Sequence, residues 1–314
     1  MSDVINAQNR AKMTDPLVTI GLPVYNGGNQ LREALESLCA QDHPNLEILI
    51  SDNASTDGTA EMCAEFVARD HRIRYHREAT NRGATWNFNR VLDLRQGGYF
   101  LWAAHDDLWS PTFISKAVAA LEADPSASIC HSYGQPFTSA GLYVGDAYVG
   151  WVNEHETAEG RYRQLLEHWD LNAAIYGLHR STALDRTRGL RLTLCSDLVF
   201  VAEMCLQGKI IQVPEVLQFK RYHERYRTHQ EMLRYLGCSN AKPRHRVALR
   251  LRVSWHCVGV VLRSERPRRS RASMIADTLA VYFRRDYWLI DLKEGVAALI
   301  GPERFGRLRD WRNR

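Results

Sequence analysis

Apolar residues along this chain gather into short blocks separated by stretches with helical spacing. Leu17 to Leu22, Leu46 to Ile50, Ile73 to His76, Tyr99 to Ala104 and Ser128 to Tyr133 read as strands. Between them, Leu31, Ala34, Leu35 and Leu38 recur at helical spacing, and a helix bearing Met62, Phe66 and Val67 follows Ser55-Thr56-Asp57-Gly58. A further helix is predicted from Ser110 to Glu122. Strands alternating with helices of this length predict βαβ units, an α/β fold and a largely parallel sheet. After about residue 135 the pattern loosens. Residues 135–160 predict loops with an antiparallel element, 161–169 and 197–207 helices, Lys209 to Val213 and Val216 to Tyr222 strands, and an Arg-rich helical region follows Glu224.

One strand ends abruptly in chemistry. Residues 98–111 read G-Y-F-L-W-A-A-H-D-D-L-W-S-P, so an apolar run delivers His105, Asp106 and Asp107 to the carboxyl edge of the sheet. Open α/β sheets bind ligands at that edge. Adjacent carboxylates repel each other, and a cation or a hydrogen-bond-donating ribose would relieve them. The competing reading makes the pair a helix cap, with Ser110-Pro111 as the true helix start.

Composition narrows the classes. A chain of 314 residues with 45% apolar and 25% charged residues buries a sizeable core. The net charge of +5 is mild but uneven: nine arginines and a single acid, Glu265, lie between Arg244 and Arg271. Seven scattered cysteines without a C-x-x-C pair argue for free thiols in a reducing compartment and against a zinc site. The polar N-terminus lacks a signal-peptide core, and the apolar stretch Val253 to Leu262 is about half of what a bilayer span needs. A cytoplasmic location is expected.

Four segments in order carry a resemblance: V-T-I-G-L-P-V-Y-N-G-G (18–28), I-S-D-N-A-S-T-D-G-T (50–59), W-A-A-H-D-D-L-W-S-P (102–111) and S-D-L-V-F-V-A-E-M-C-L-Q-G-K-I-I-Q-V-P-E (196–215). Over residues 17–229 the chain resembles the family 2 glycosyltransferases of the GT-A fold. That resemblance implies a Rossmann-like, mostly parallel central sheet flanked by helices. It also implies a nucleoside-diphosphate sugar donor (UDP, GDP or dTDP), a divalent Mn²⁺ or Mg²⁺, and inverting transfer to a glycan or lipid-linked acceptor hydroxyl in bacterial surface polysaccharide synthesis.

The resemblance assigns roles residue by residue. Pro23 and Tyr25 face the nucleobase and ribose, and Asp52 the base. Arg82 meets a phosphate and Asn87 the base or ribose. Asp106 faces the ribose and Asp107 the metal. Asp197 is the base that deprotonates the acceptor, with a helix N-cap as its bland alternative. In the Arg-x-His segment, His223 reaches the metal or diphosphate and Arg221 the phosphates. Two departures stand out: His105 occupies the first place of the fuller D-x-D motif, and Ser196 replaces the usual Glu before the catalytic Asp. Asp57 reads as a turn or helix-cap residue.

The expected organisation is a leader over 1–15, a catalytic domain over 16–229 (donor binding in 16–134, acceptor and catalytic part in 135–229) and a basic helical extension over 230–314. Within that extension, 244–271 mixes arginines with apolar residues and Trp255, which suits either the inner face of a membrane or packing on the catalytic domain. No nucleic-acid partner is expected, because no recognised motif accompanies the charge. Two rival functions remain. A degenerate, non-catalytic nucleotide-sugar-binding module would suit His105 and Ser196. A sugar-phosphate nucleotidyltransferase would need a basic phosphate loop after the first strand, and Pro23 to Gly28 contains no Lys or Arg.

Overall fold

The computed structural model describes residues 15–138, 140, 141, 143, 145–147, 149–167, 173–193, 195–221, 249–284, 289, 291 and 292. The leader over 1–14, Cys238 and His223 lie outside the described residues. Eight strands form one sheet: β1 (Val18–Val24), β2 (Leu46–Asp52), β3 (Ile73–Arg77), β4 (Tyr99–Trp102), β5 (Leu108–Trp109), β6 (Ala127–Phe137), β7 (Leu178–Arg180) and β8 (Lys209–Arg221). Their spatial order is β3-β2-β1-β4-β7-β6-β8-β5. The half from β3 to β4 is parallel as expected. Beyond it the sheet is mixed, because β7 runs antiparallel to both β4 and β6, and β5 antiparallel to β8. The two strands expected over 209–222 are one strand, held along its length by the parallel neighbour β6.

The helices are α1 (Gly28–Cys39), α2 (Thr59–Arg69), α3 (Ala84–Asp93), α4 (Phe113–Ala123), α5 (Ala158–Glu167), α6 (Ser181–Leu184), α7 (Ser196–Gln207), α8 (Leu249–Arg263) and α9 (Arg268–Arg284), with a 3₁₀ turn at Ala173–Tyr176. Helix α4 starts at Phe113, so Asp106 and Asp107 do not cap it. Alternating strand residues feed two cores. Ile48, Ile50, Tyr99 and Leu101 pack with α1, α2 and α4 on one face. Leu49, Phe100 and Trp102 pack with α3, α5 and α7 on the other, a core that also takes Val253, Cys257 and Val261 of α8 and Met274 and Val281 of α9. The helical region therefore rests on the same core as α7, and Arg263 of α8 reaches the buried Glu203 of α7.

Close packing governs β1. A Cβ on Gly21 would meet the Phe100 ring and a Val91 methyl at 2.8 Å, so only glycine lets α3 and β4 approach the strand. The six described cysteines are free, and burial pushes the thiols of Cys63, Cys130, Cys205 and Cys257 up to about 12.

Candidate active site

The chain passes from β1 to β2 and β3 on one side, then returns to place β4 on the other side of β1. This reversal opens a crevice at the carboxyl ends of β1 and β4, where ligands of open α/β sheets bind. A cavity of about 510 Å³ lies there. Its wall includes Pro23, Tyr25, Asn53, Asn87, His105, Asp106, Asp107, Tyr176, Lys220 and Arg221.

The turn after β1 is built by the turn after β2. Asn26 takes a left-handed φ of +53°, and its N–H donates to Ser55 Oγ at 2.9 Å. Thr56 N–H donates back to Asn26 Oδ1 at 2.8 Å, and Gly27 N–H donates to Thr59 Oγ1 at 2.9 Å. Asp57 accepts from Gly28 N–H at 3.2 Å and from Thr59 N–H at 3.1 Å, so it ties the two turns together, as the turn reading expects. Burial opposes ionisation of Asp57, but the hydrogen bonds from Thr59 and Gly28 outweigh it and hold its carboxyl below the usual range. This framework holds Tyr25 at the cavity with 44% of its surface exposed.

The end of β2 is arranged differently from its expected role. Asp52 is fully buried: Oδ1 accepts from Ser55 N–H at 2.8 Å, Oδ2 from the Tyr75 hydroxyl at 2.7 Å, and Arg77 lies 3.6 Å away. The cavity wall carries its neighbour Asn53 instead. Asn53 accepts from Arg82 N–H at 2.9 Å and donates to Asn81 Oδ1 at 2.9 Å and to the Gly83 carbonyl. Gly83, at φ +87°, turns the chain into α3. Arg82 is not on the cavity wall; its guanidinium stacks on Trp86, 4.0 Å from the ring centroid. Asn87 is on the wall but buried, bracing β1 to β2. It donates to the carbonyls of Val24 and Ser51 and accepts from Ser51 Oγ at 2.6 Å.

At the end of β4 the carboxylates meet β8. Asp107 Oδ1 accepts from Arg221 N–H at 2.9 Å, and Arg221 Nε–H donates to the Asp106 carbonyl at 2.9 Å. Its Nη2 donates to Glu33 of α1 at 2.7 Å, and the guanidinium lies 4.5 Å from the Phe137 ring centroid. Lys220, which the sequence reading did not single out, lines the cavity with its ammonium 4.6 Å from the Tyr176 ring centroid. Burial lowers its pKa, while Asp107, Asp197 and Asp106 act against that shift. Asp197 is the second residue of α7, and Oδ1 accepts from Leu198 N–H at 2.9 Å. Burial raises its pKa, against the backbone hydrogen bonds of Leu198 and Asp197 and the charge of Lys220. Ser196 is engaged locally, accepting from Arg191 N–H at 2.7 Å.

The cavity thus brings together Pro23, Tyr25, Asn87, Asp106, Asp107 and Arg221. Lys220 links Asp197 to them electrostatically. The signal for Lys220 was its place beside Arg221 at a strand end. The signal for Asn53 was its place beside Asp52.

A mixed sheet whose parallel half reverses at β1, with acids at the crevice, is an α/β fold of the GT-A type. The model of the Glycosyl transferase family 2 matches residues 19–186, and the chain belongs to that family. Glycosyltransferase GlyA of Streptococcus pneumoniae serotype 4 is 30% identical over 172 residues, covering 50% of this chain and 24% of its own length. A putative teichuronic acid biosynthesis glycosyltransferase, TuaG of Bacillus subtilis, is 33% identical over 101 residues, 32% of this chain and 40% of its own. The chain therefore spans less than half the length of these relatives. Among solved structures, S. aureus TarS 1–349 in complex with UDP-GlcNAc is similar with TM-score 0.64 at 18% identity, covering 93% of this chain and 83% of that one. Mannosyltransferase PcManGT from Pyrobaculum calidifontis, in complex with GDP-Man and Mn²⁺, is similar with TM-score 0.53 at 18% identity, covering 95% and 93%.

Proposed function

We propose that this chain is a metal-dependent, inverting glycosyltransferase that moves a sugar from a nucleoside-diphosphate sugar to an acceptor hydroxyl in surface polysaccharide synthesis. One observation carries the reading: Tyr25, Asp106 and Asp107 line the switch-point cavity, and Lys220 on the same wall feels the charge of Asp197, a half-buried carboxylate at the start of α7. The relatives support the same class, since TarS is in complex with UDP-GlcNAc, PcManGT with GDP-Man and Mn²⁺, and TuaG is named for teichuronic acid biosynthesis.

Asn53, Tyr25 and Pro23 line the side of the cavity suited to the base and ribose. Asp52 acts from beneath, holding the Ser55 turn that shapes this wall. Asp106 and Asp107 offer hard oxygens, which suit Mg²⁺ or Mn²⁺. Among the described residues no cluster of three or more His, Cys, Asp or Glu side chains forms a self-sufficient metal site. Such an ion is commonly bound by one or two carboxylates plus substrate phosphates, which this pair fits. When bound, it neutralises charge on the departing diphosphate.

Inversion requires a base on the acceptor side, and Asp197 is the candidate. Its raised pKa makes it a stronger proton acceptor than an exposed aspartate. Catalysis is proposed to reside in 16–229, with 230–314 as an extension. The solvent-exposed Leu251, Trp255 and Leu262 of α8, with Arg252 beside them, support peripheral contact with an anionic membrane carrying a lipid-linked acceptor.

The test starts by screening UDP-, GDP- and dTDP-sugars for thermal stabilisation with and without Mn²⁺. With the donor so found, Asp197→Asn is expected to lower kcat by about 10²–10⁴-fold while leaving donor affinity intact. Asp107→Ala is expected to remove the Mn²⁺-dependent part of donor binding. Full turnover in the first variant would overturn the role of Asp197, and unchanged metal dependence in the second that of Asp107.

A further inference from the structure

We infer that Lys220 is the cavity's diphosphate-binding cation, the role that the Arg-x-His segment assigns to Arg221. The inference rests on the transferase reading of this site and adds the residue that receives the leaving group's charge.

Arg221 is already engaged by the fold. Its guanidinium donates to Glu33 and to the Asp106 carbonyl and covers the Phe137 ring, and its side chain is 1% exposed. Each of these contacts consumes donors or face that a phosphate would need. Its backbone N–H is spent on Asp107. Arg221 is a clamp that fastens β8 to α1 and to the acidic turn. Arg82, the other expected phosphate partner, is stacked on Trp86 away from the cavity wall.

Lys220 shares the cavity wall with Arg221, Asp106 and Asp107, but its ammonium rests on the face of Tyr176. Tyr176 is itself held, because Gln218 of β8 donates to its carbonyl at 2.7 Å. The ammonium is thus positioned by a ring face, which attracts it without using its three N–H donors. Three carboxylates, Asp107, Asp197 and Asp106, bear on it electrostatically.

The charge balance gives the function. A nucleoside diphosphate brings further negative charge to a cavity that already holds acids, so binding needs cations facing it. A metal ion held by Asp106 and Asp107 would supply part of that need. Lys220 supplies a part that belongs to the protein, on the wall that carries Asp106 and Asp107. From there it also favours the ionised form of Asp197.

The experiment uses the full chain and calorimetry with inorganic pyrophosphate, UDP, GDP and uridine. Lys220→Met is expected to weaken pyrophosphate and nucleoside-diphosphate binding by about tenfold or more, with Lys220→Arg restoring most of it. Uridine binding is expected to stay unchanged. A second measurement needs no variant: pyrophosphate is expected to protect Lys220 of the parent protein from amine acetylation, read by mass spectrometry against the exposed Lys116.

Parent-like diphosphate affinity in Lys220→Met, or labelling of Lys220 that pyrophosphate does not change, would overturn the inference. If at the same time Asp197→Asn abolishes transfer, the transferase reading survives that loss. A parent protein that binds none of pyrophosphate, UDP and GDP would sink both.

Discussion

At the scale of single residues, the site separates groups that touch the cavity from groups that hold it in shape. Asp52 and Asn53 are neighbours in sequence, yet one is buried under Tyr75 and Arg77 and the other faces the cavity. Lys220 and Arg221 both line the cavity, but Arg221 is tied to Glu33 while the Lys220 ammonium rests on the Tyr176 ring. His179 shows a purely structural version of burial. It is fully buried, its ring edge-on to Trp102 and Phe200, and burial pushes its pKa down to about 3. Between that value and the ordinary histidine range near 6.5, the unfolded chain binds a proton that the folded chain refuses. Stability is therefore present at neutral pH and lost as pH falls through this window, by roughly 2 kcal/mol at pH 5. Urea unfolding at pH 7 and pH 5 checks this: His179→Phe is expected to lose less on acidification than the parent. Equal losses would mean that His179 does not carry the effect.

The rate has its own pH dependence at the same scale. Asp197 must be ionised to accept a proton, and its pKa is raised by burial. The acid limb of the kcat profile is expected at higher pH than an ordinary aspartate would give. Because Lys220 opposes that shift, Lys220→Met is expected to move the limb further up.

At the scale of elements, the strand ends matter more than the strands. The β1 and β2 turns are one interlocked unit, joined through Asn26, Ser55, Thr56, Asp57 and Thr59. Their packing against β4 depends on Gly21. Gly21→Ala is expected to destabilise the fold by about 1–3 kcal/mol, because the added methyl overpacks a core of ring and branched side chains. A melting temperature equal to the parent's would show that α3 yields more easily than this contact implies. The mixed half of the sheet was hard to foresee. Strand β7 is three residues long, and β8 crosses Pro214 and Glu215 without ending because β6 holds it on both sides of that irregularity.

At the scale of the whole molecule, the C-terminal helices carry two faces. Their buried face completes the core shared with α5 and α7. The outward face of α8 shows Leu251, Trp255 and Leu262 at helical spacing, with Trp255 70% exposed. Among the described residues no helix is long and apolar enough to cross a membrane, so any membrane contact through these helices is peripheral. The protein is expected to sediment with anionic vesicles and not with neutral ones, and less so at high salt. Trp255→Ala is expected to reduce that binding without lowering the melting temperature. Sedimentation indifferent to lipid charge would remove this surface from the account.

The sequence by itself determined the local order of this protein. Periodicity located β1 to β4 and the helices α1 and α2, though not α3, and the strand ends at Tyr25, Asp52 and Asp106 mark where a switch-point cavity must open, since a parallel sheet collects its carboxyl ends on one edge. Those signals are short-range and survive without knowledge of neighbours. Only the tertiary structure decided how each polar residue at these strand ends is used. That choice depends on partners far away in the chain: Tyr75 and Arg77 for Asp52, Glu33 and Phe137 for Arg221, Tyr176 for Lys220. A side chain's direction is fixed by which partner satisfies it, and for these residues the partners are supplied by the fold.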